Sequence, residues 1–170
     1  KDIFKIMTSS GTTGQSVSKI FLDRETALIQ TKILSLLMRN LLGKKRLPML
    51  IVDSANVIKD RKSFSARGAG ILGFSMFGKS TTYALNKNME LDLDAIYKFA
   101  EGARGNTIFL FGFTYMIWSH FIKPLLKKKI SLPFKDVIIL HGGGWKKIQD
   151  EAVTNKEFTS TLKSVINVKR

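Results

Sequence analysis

No cysteine occurs in the 170 residues of this chain. Its absence excludes disulfides, thiolate metal sites and a cysteine nucleophile from these residues, and it suits a reducing, cytoplasmic setting. Acidic residues are scarce as well, 13 Asp and Glu against 28 Lys and Arg, for a formal net charge of +15. Such an excess suits nucleic acid, an anionic membrane surface or a strongly acidic partner, and charge alone does not choose among them. Its distribution narrows the choice. Lys44-Lys45-Arg46, Lys59 to Arg67, Lys127-Lys128-Lys129, Lys146-Lys147 and Lys163 to Arg170 are separate clusters without the interleaved aromatics on which bases stack, so they read as solvated helix ends and loops. No nucleic-acid partner is expected. A long apolar run is missing too: Ile108 to Leu126 comes nearest, but Gly112, His120, Lys123 and Pro124 interrupt it. It reads as a buried strand running into a helix, and no membrane span is expected. No charged-then-apolar secretory leader begins at Lys1, and no internal repeat or low-complexity tract is present.

What is present suits one domain able to bury its own core. Phe4, Ile6 and Thr8 alternate with Lys5 and Met7, and Val17 to Leu22 follows a polar stretch, so two short strands bracket a loop. Asp23 offers an N-cap to a long helix in which Ile29, Ile33, Leu36, Leu37 and Leu41 recur at helical spacing, and Gly43 offers a stop. Pro48 to Val52 reads as a buried strand ending at Asp53; Lys59 to Gly70 is polar, basic and glycine-containing, and reads as a loop. Further strands are expected over Thr81 to Leu85, Thr107 to Phe111 and Val137 to Leu140. Leu91-Asp92-Leu93-Asp94 is expected to lead into a helix to about Ala103, and further helices are expected from about Thr114 to Lys128 and from the capping pair Thr154 and Glu157 to about Ile166. Alternating strands and helices, several strands continuously apolar, predict an α/β fold with a mostly parallel sheet flanked by helices on both faces. Ligands of such sheets gather beyond the carboxyl ends of the strands, where both glycine-rich loops are expected to lie.

The first of these loops is Thr8-Ser9-Ser10-Gly11-Thr12-Thr13-Gly14. Its glycines allow successive N–H groups to converge on a phosphate, and its hydroxyls can donate to phosphoryl oxygens or help hold Mg²⁺. A plain polar turn between strands is the competing reading. The second loop, His141-Gly142-Gly143-Gly144-Trp145-Lys146, leaves the backbone bare where a flat ring or an acyl chain could approach. Against this stands a flexible connection with an incidental histidine. His141 is the one residue considered for catalysis, although a lone histidine carries little evidence for it.

The loop Thr8 to Gly14, the continuation Ser18-Lys19-Ile20-Phe21-Leu22-Asp23 into a long helix, and Ile138 to Lys146 together resemble the acyl-protein synthetase family, LuxE type. The resemblance runs through nearly the whole chain. That family is similar to the broader adenylate-forming superfamily, whose phosphate loop reads Ser-Gly-Thr-Thr-Gly followed by Pro-Lys or a variant. Here Gln15-Ser16 replaces Pro-Lys, and Lys19 is the nearest substitute for the lysine. The resemblance implies that ATP, with Mg²⁺, and a fatty acid form an acyl-adenylate and pyrophosphate. The acyl group then passes to a protein thiol, and an acyl-reductase or an acyl-carrier protein is the implied partner. By family position, Ser9, Ser10, Gly11, Thr12, Thr13 and Gly14 hold the nucleotide phosphates, Thr12 assists the metal, and His141, Gly142, Gly143 and Gly144 line the adenine and acyl pocket. Phe111, Phe113, Tyr115 and Trp118 either border the acyl tunnel or pack the core. A Tyr-Gly-x-x-Glu-like motif, a ribose-binding aspartate and a mobile carboxy-terminal domain complete the family pattern and are not found here. The 170 residues are therefore expected to be one α/β part of the amino-terminal domain of a longer enzyme, inactive alone.

Gly73-Phe74-Ser75-Met76-Phe77-Gly78-Lys79-Ser80 competes with this reading, because it matches the phosphate-binding pattern G-x-x-x-x-G-K-[ST] letter for letter. A working P-loop follows a buried strand and opens a helix. Here Thr81-Thr82-Tyr83 favours a strand after the lysine, and Asp53, which imitates the second carboxylate of such sites, comes before it. A P-loop nucleotidase and a basic, non-catalytic nucleic-acid or membrane module are thus the alternatives to an acyl-activating enzyme.

Overall fold

The computed structural model describes residues 3–8, 19–58, 66–145 and 148–166. Strands β1 (Ile3–Thr8) and β2 (Lys19–Asp23) pair antiparallel as a separate two-stranded sheet, in register from Thr8↔Lys19 to Lys5↔Leu22, with a register shift before Ile3↔Asp23. Helix α1 (Arg24–Leu42) follows at once. Asp23 caps it by accepting the Thr26 N–H at 2.8 Å, and Gly43 ends it at φ 85°, a left-handed angle that a Cβ disfavours, with its N–H on the Arg39 carbonyl. The helix packs inward through Leu34, Met38, Leu41 and Leu42. The apolar set expected to face the core points mostly elsewhere: Ile29, Ile33, Leu36 and Leu37 are half or more exposed. Leu34, Met38, Leu41 and Leu42 follow helical spacing equally well, so periodicity permitted two apolar faces and the sheet took the second.

The main sheet is parallel, with strand order β4-β3-β5-β6: β3 is Leu47–Ser54, β4 Gly78–Leu85, β5 Thr107–Phe113 and β6 Asp136–Gly142. Met49 through Val52 pair with Phe109 through Gly112, and Thr107 through Phe113 with Asp136 through Gly142. Successive side chains of a strand leave on opposite faces, so each apolar run feeds two cores. Leu50, Val52, Ile108, Leu110 and Val137 meet α3 (Leu93–Gly102), the helical rod of 114–127 and α6 (Asn155–Val165). Met49, Ile51, Phe109, Phe111 and Ile138 meet α1 and α2 (Ala66–Ser75) on the other face. Each such side chain taken from water contributes about 1.5–3 kcal/mol before entropy is counted. These two cores are the physical basis of the α/β fold.

The rod combines α4 (Thr114–Met116), a π-helical stretch Ile117–Ile122 and α5 (Lys123–Lys127). Pro124 has no N–H to give the helical ladder, and the ladder widens just before it. Ile117 is thereby seated over Gly112, where a Cβ would come within 2.9 Å of the isoleucine.

Two local expectations are corrected here. The loop expected over Lys59 to Gly70 gives way to helix from Ala66, and the strand expected from Thr81 begins at Gly78. The P-loop look-alike therefore runs helix, turn, strand, the reverse of the order that phosphate binding requires. Gly78 has another duty. A Cβ there would lie 2.5 Å from that of Met49, so only glycine lets β4 close on β3.

Candidate functional site at the carboxyl edge of the sheet

β3 connects through α2 to β4 on one side, whereas the chain returns through α3 to β5 on the other side of β3. The order thus reverses between β3 and β5, and in open α/β sheets the crevice beyond such a reversal is where ligands bind. Three strands bring chemistry to this edge: Asp53 and Ser54 end β3, Phe113 ends β5 and leads to Thr114, and His141 and Gly142 end β6.

Thr114 fastens the second glycine loop to β5. Its hydroxyl donates to the Gly142 carbonyl at 3.0 Å and lies 3.0 Å from His141 Nδ1. A hydroxyl has one proton, and here the carbonyl receives it, so Nδ1 of His141 must be the donor in the second bond. His141 then carries its proton on Nδ1 and leaves Nε2 as an acceptor. Partial desolvation by the atoms packed around its ring holds the imidazole below its usual titration range although the residue remains exposed, which favours the neutral form near pH 7. Its ring lies on Phe158 with centroids 4.8 Å apart, and Trp145 packs edge-on to both Trp118 and Phe158. The loop is thus pinned at both ends.

Gly143 adopts φ 87°, and a Cβ there would lie 2.6 Å from the Phe113 ring. Gly70 of α2 approaches the same ring, its would-be Cβ 3.3 Å away. The bare backbone of the glycine loop accordingly packs on Phe113. The four aromatics considered for a tunnel do not share one wall: Phe111 and Phe113 belong to the α1 and α2 face, and Trp118 to the opposite one.

Sequence reasoning missed a second group at this edge. Asp53 is buried, 1% exposed; one carboxylate oxygen accepts the Ser54 N–H at 2.7 Å, and the other sits 3.1 Å from Nε of Arg67 without the alignment of a hydrogen bond. Desolvation dominates and raises the carboxyl pKa, against lowering by the Ser54 N–H and the charges of Arg67 and His120. Burial, and secondarily the Asp53 charge, also raises the Tyr83 phenol. Arg67 further donates to the Tyr115 hydroxyl at 3.1 Å. The available signal was the aspartate closing an otherwise apolar strand; its partner lay in a segment read as loop.

Ser9, Ser10, Gly11, Thr12, Thr13 and Gly14 lie outside the described residues. The strands that bracket them are described, and the loop opens from the pair Thr8↔Lys19. This placement corrects one expectation, since the strands on either side of these residues form an antiparallel pair outside the parallel sheet, so the residues do not follow one of its strands. Lys19, the proposed stand-in for the usual lysine, is exposed at the loop's mouth. Among the described residues, no three His, Asp or Glu side chains cluster to hold a metal ion. A cleft of about 280 Å³ lined by Ala103, Arg104, Asn106, Pro133 and Lys135 lies at the opposite, amino-terminal edge. No described helix is long and apolar enough to cross a membrane.

A parallel sheet flanked by helices on both faces, with a pinned glycine loop at the carboxyl end of its edge strand β6, defines an α/β protein. More particularly, the chain belongs to the acyl-protein synthetase family: the family model described as "Acyl-protein synthetase, LuxE" matches residues 1–170. No curated protein and no solved structure matches it.

Proposed function

We propose that the protein activates a fatty acid with ATP as an acyl-adenylate and delivers the acyl group to a protein thiol. The family match over residues 1–170 carries this reading. In the first step a carboxylate oxygen attacks the α-phosphorus, the bond to the bridging oxygen breaks, and pyrophosphate leaves. In the second, a thiolate attacks the acyl carbonyl and AMP leaves. An acyl-carrier protein or an acyl-reductase is the acceptor we infer, in a cytoplasmic setting.

The first step asks the protein to position anions and offset their charge more than to make covalent bonds. The donor set Ser9, Ser10, Gly11, Thr12, Thr13 and Gly14 suits that work, because hydroxyls and backbone N–H groups match phosphoryl oxygens. Mg²⁺, with Thr12 as the family-position ligand, would supply further charge on the phosphates. His141 to Gly144 would border the adenine and the acyl carbonyl, where bare glycine backbone admits close approach. With Nε2 as an acceptor, His141 can hold a hydroxyl or N–H of the substrate. The enzyme that carries these residues should exchange labelled pyrophosphate into ATP only when a fatty acid is present. Exchange that ignores the fatty acid contradicts the proposal.

A further inference from the structure

Arg67 lies near the start of α2, facing the carboxyl ends of β3 and β5. A guanidinium has five N–H donors in a fixed planar fork. Nε addresses Asp53, and Nη1 addresses Tyr115 at 3.1 Å and, weakly, the Met116 sulfur at 3.8 Å. Nη2 has no hydrogen-bond partner among the described residues, and the side chain remains 30% exposed while Asp53 behind it is 1% exposed. Among the described residues, neutralising Asp53 and holding Tyr115 thus use Nε and Nη1 and leave the Nη2 donors for a further acceptor.

The same group is tied to the glycine loop. Tyr115, which holds Arg67, directly follows Thr114, which holds His141 and Gly142. Gly70, one turn beyond Arg67 on α2, touches the Phe113 ring against which Gly143 packs. Arg67 and the glycine loop are therefore mounted on adjacent residues of β5 and the rod that follows.

We propose that Arg67 is the anion-receiving residue of this edge. Asp53 and Tyr115 engage Nε and Nη1 of its guanidinium, and Nη2, which lies between them, takes an oxygen anion, a carboxylate or a phosphate. The inference deepens the acyl-activation reading and rests on it for the choice of anions: the carboxylate would come from the fatty acid and the phosphate from the nucleotide. Asp53 and Tyr115 act as positioning residues, because a planar fork loses specificity when it is free to rotate.

Direct titration by calorimetry with octanoate and, separately, with ATP tests the inference on the enzyme that carries these residues. Arg67→Gln should weaken one of the two ligands at least about tenfold and leave the other unchanged, since a charge-assisted hydrogen bond is about twice as strong as a neutral one. The ligand that weakens names the source of the anion. Arg67→Lys keeps the charge without the fork and should restore part of the loss, whereas Tyr115→Phe should weaken the same ligand by a few-fold. Thermal melts identify any variant that fails to fold, and Arg67→Lys and Tyr115→Phe then carry the test. Octanoate and ATP binding unchanged in all folded variants overturns the inference and leaves acyl activation standing. A parent enzyme that binds neither ligand overturns both.

Discussion

The parallel sheet and the amino-terminal hairpin with its helix use apolar residues in opposite ways. Met49 to Val52 of β3 are wholly buried, and Phe109 and Leu110 beside them likewise. In the hairpin and α1, Ile6, Ile20, Phe21, Leu28, Ile33 and Leu37 all stand more than half exposed. The two regions therefore flank their candidate loops with different support. The glycine loop of β6 is set by a core filled from both faces and by Thr114, Phe113 and Trp145. The strands that flank the hydroxyl-rich residues belong to a two-stranded ladder followed by one capped helix, whose outer face adds little to this core.

Three changes sharpen or break that contrast. The largest effect belongs to the sheet: Phe109→Ala should cost about 3–5 kcal/mol, measured by urea unfolding, because both the transfer and the cavity are uncompensated. A cost near zero would mean that the sheet does not carry the stability. A smaller, pH-dependent effect belongs to the glycine loop. The pKa of His141 lies below the usual 6.5 in the folded chain, so its contribution is fully present above 6.5 and fades as the pH falls through that value toward the lowered one. Thermal midpoints should therefore drop between about pH 7 and about pH 5 for the native chain, and the drop should be shallower in His141→Gln. Equal slopes in the two proteins would mean that the His141 ring is not desolvated in the folded chain. The smallest effect belongs to α1, where Ile33→Gln should change unfolding by no more than about 0.5 kcal/mol. A cost above 2 kcal/mol would place that face in a core.

Much of the sheet was legible because parallel strands buried on both sides read as continuous apolar runs, as Met49 to Val52 and Val137 to Leu140 do. The caps at Asp23, Gly43 and Thr154 were legible for local reasons, each supplying one side-chain or backbone bond at a helix end. Helix α2 was not. Gly68, Gly70 and Gly73 each cost a helix about 1 kcal/mol, and of these Gly70 makes room for Phe113, whereas a Cβ at Gly73 would meet nothing within 4 Å. The inward face of α1 was ambiguous because both faces are apolar. Of the carboxyl-edge site, His141 and its glycines were readable as a motif, whereas the pairing of Asp53 with Arg67 depends on where α2 packs. Local spacing carries no record of that packing.

We propose that the hydroxyl-rich residues Ser9 to Gly14, and not the glycine-lysine pattern of α2 and β4, serve the nucleotide. Fatty-acid-dependent pyrophosphate exchange should be measured in the Thr12→Ala/Thr13→Ala double variant and in Lys79→Ala. The account predicts a loss of at least about 100-fold in the first and an unchanged rate in the second, as expected for removing preorganised donors to a developing charge. An unchanged double variant beside an inactive Lys79→Ala would contradict it.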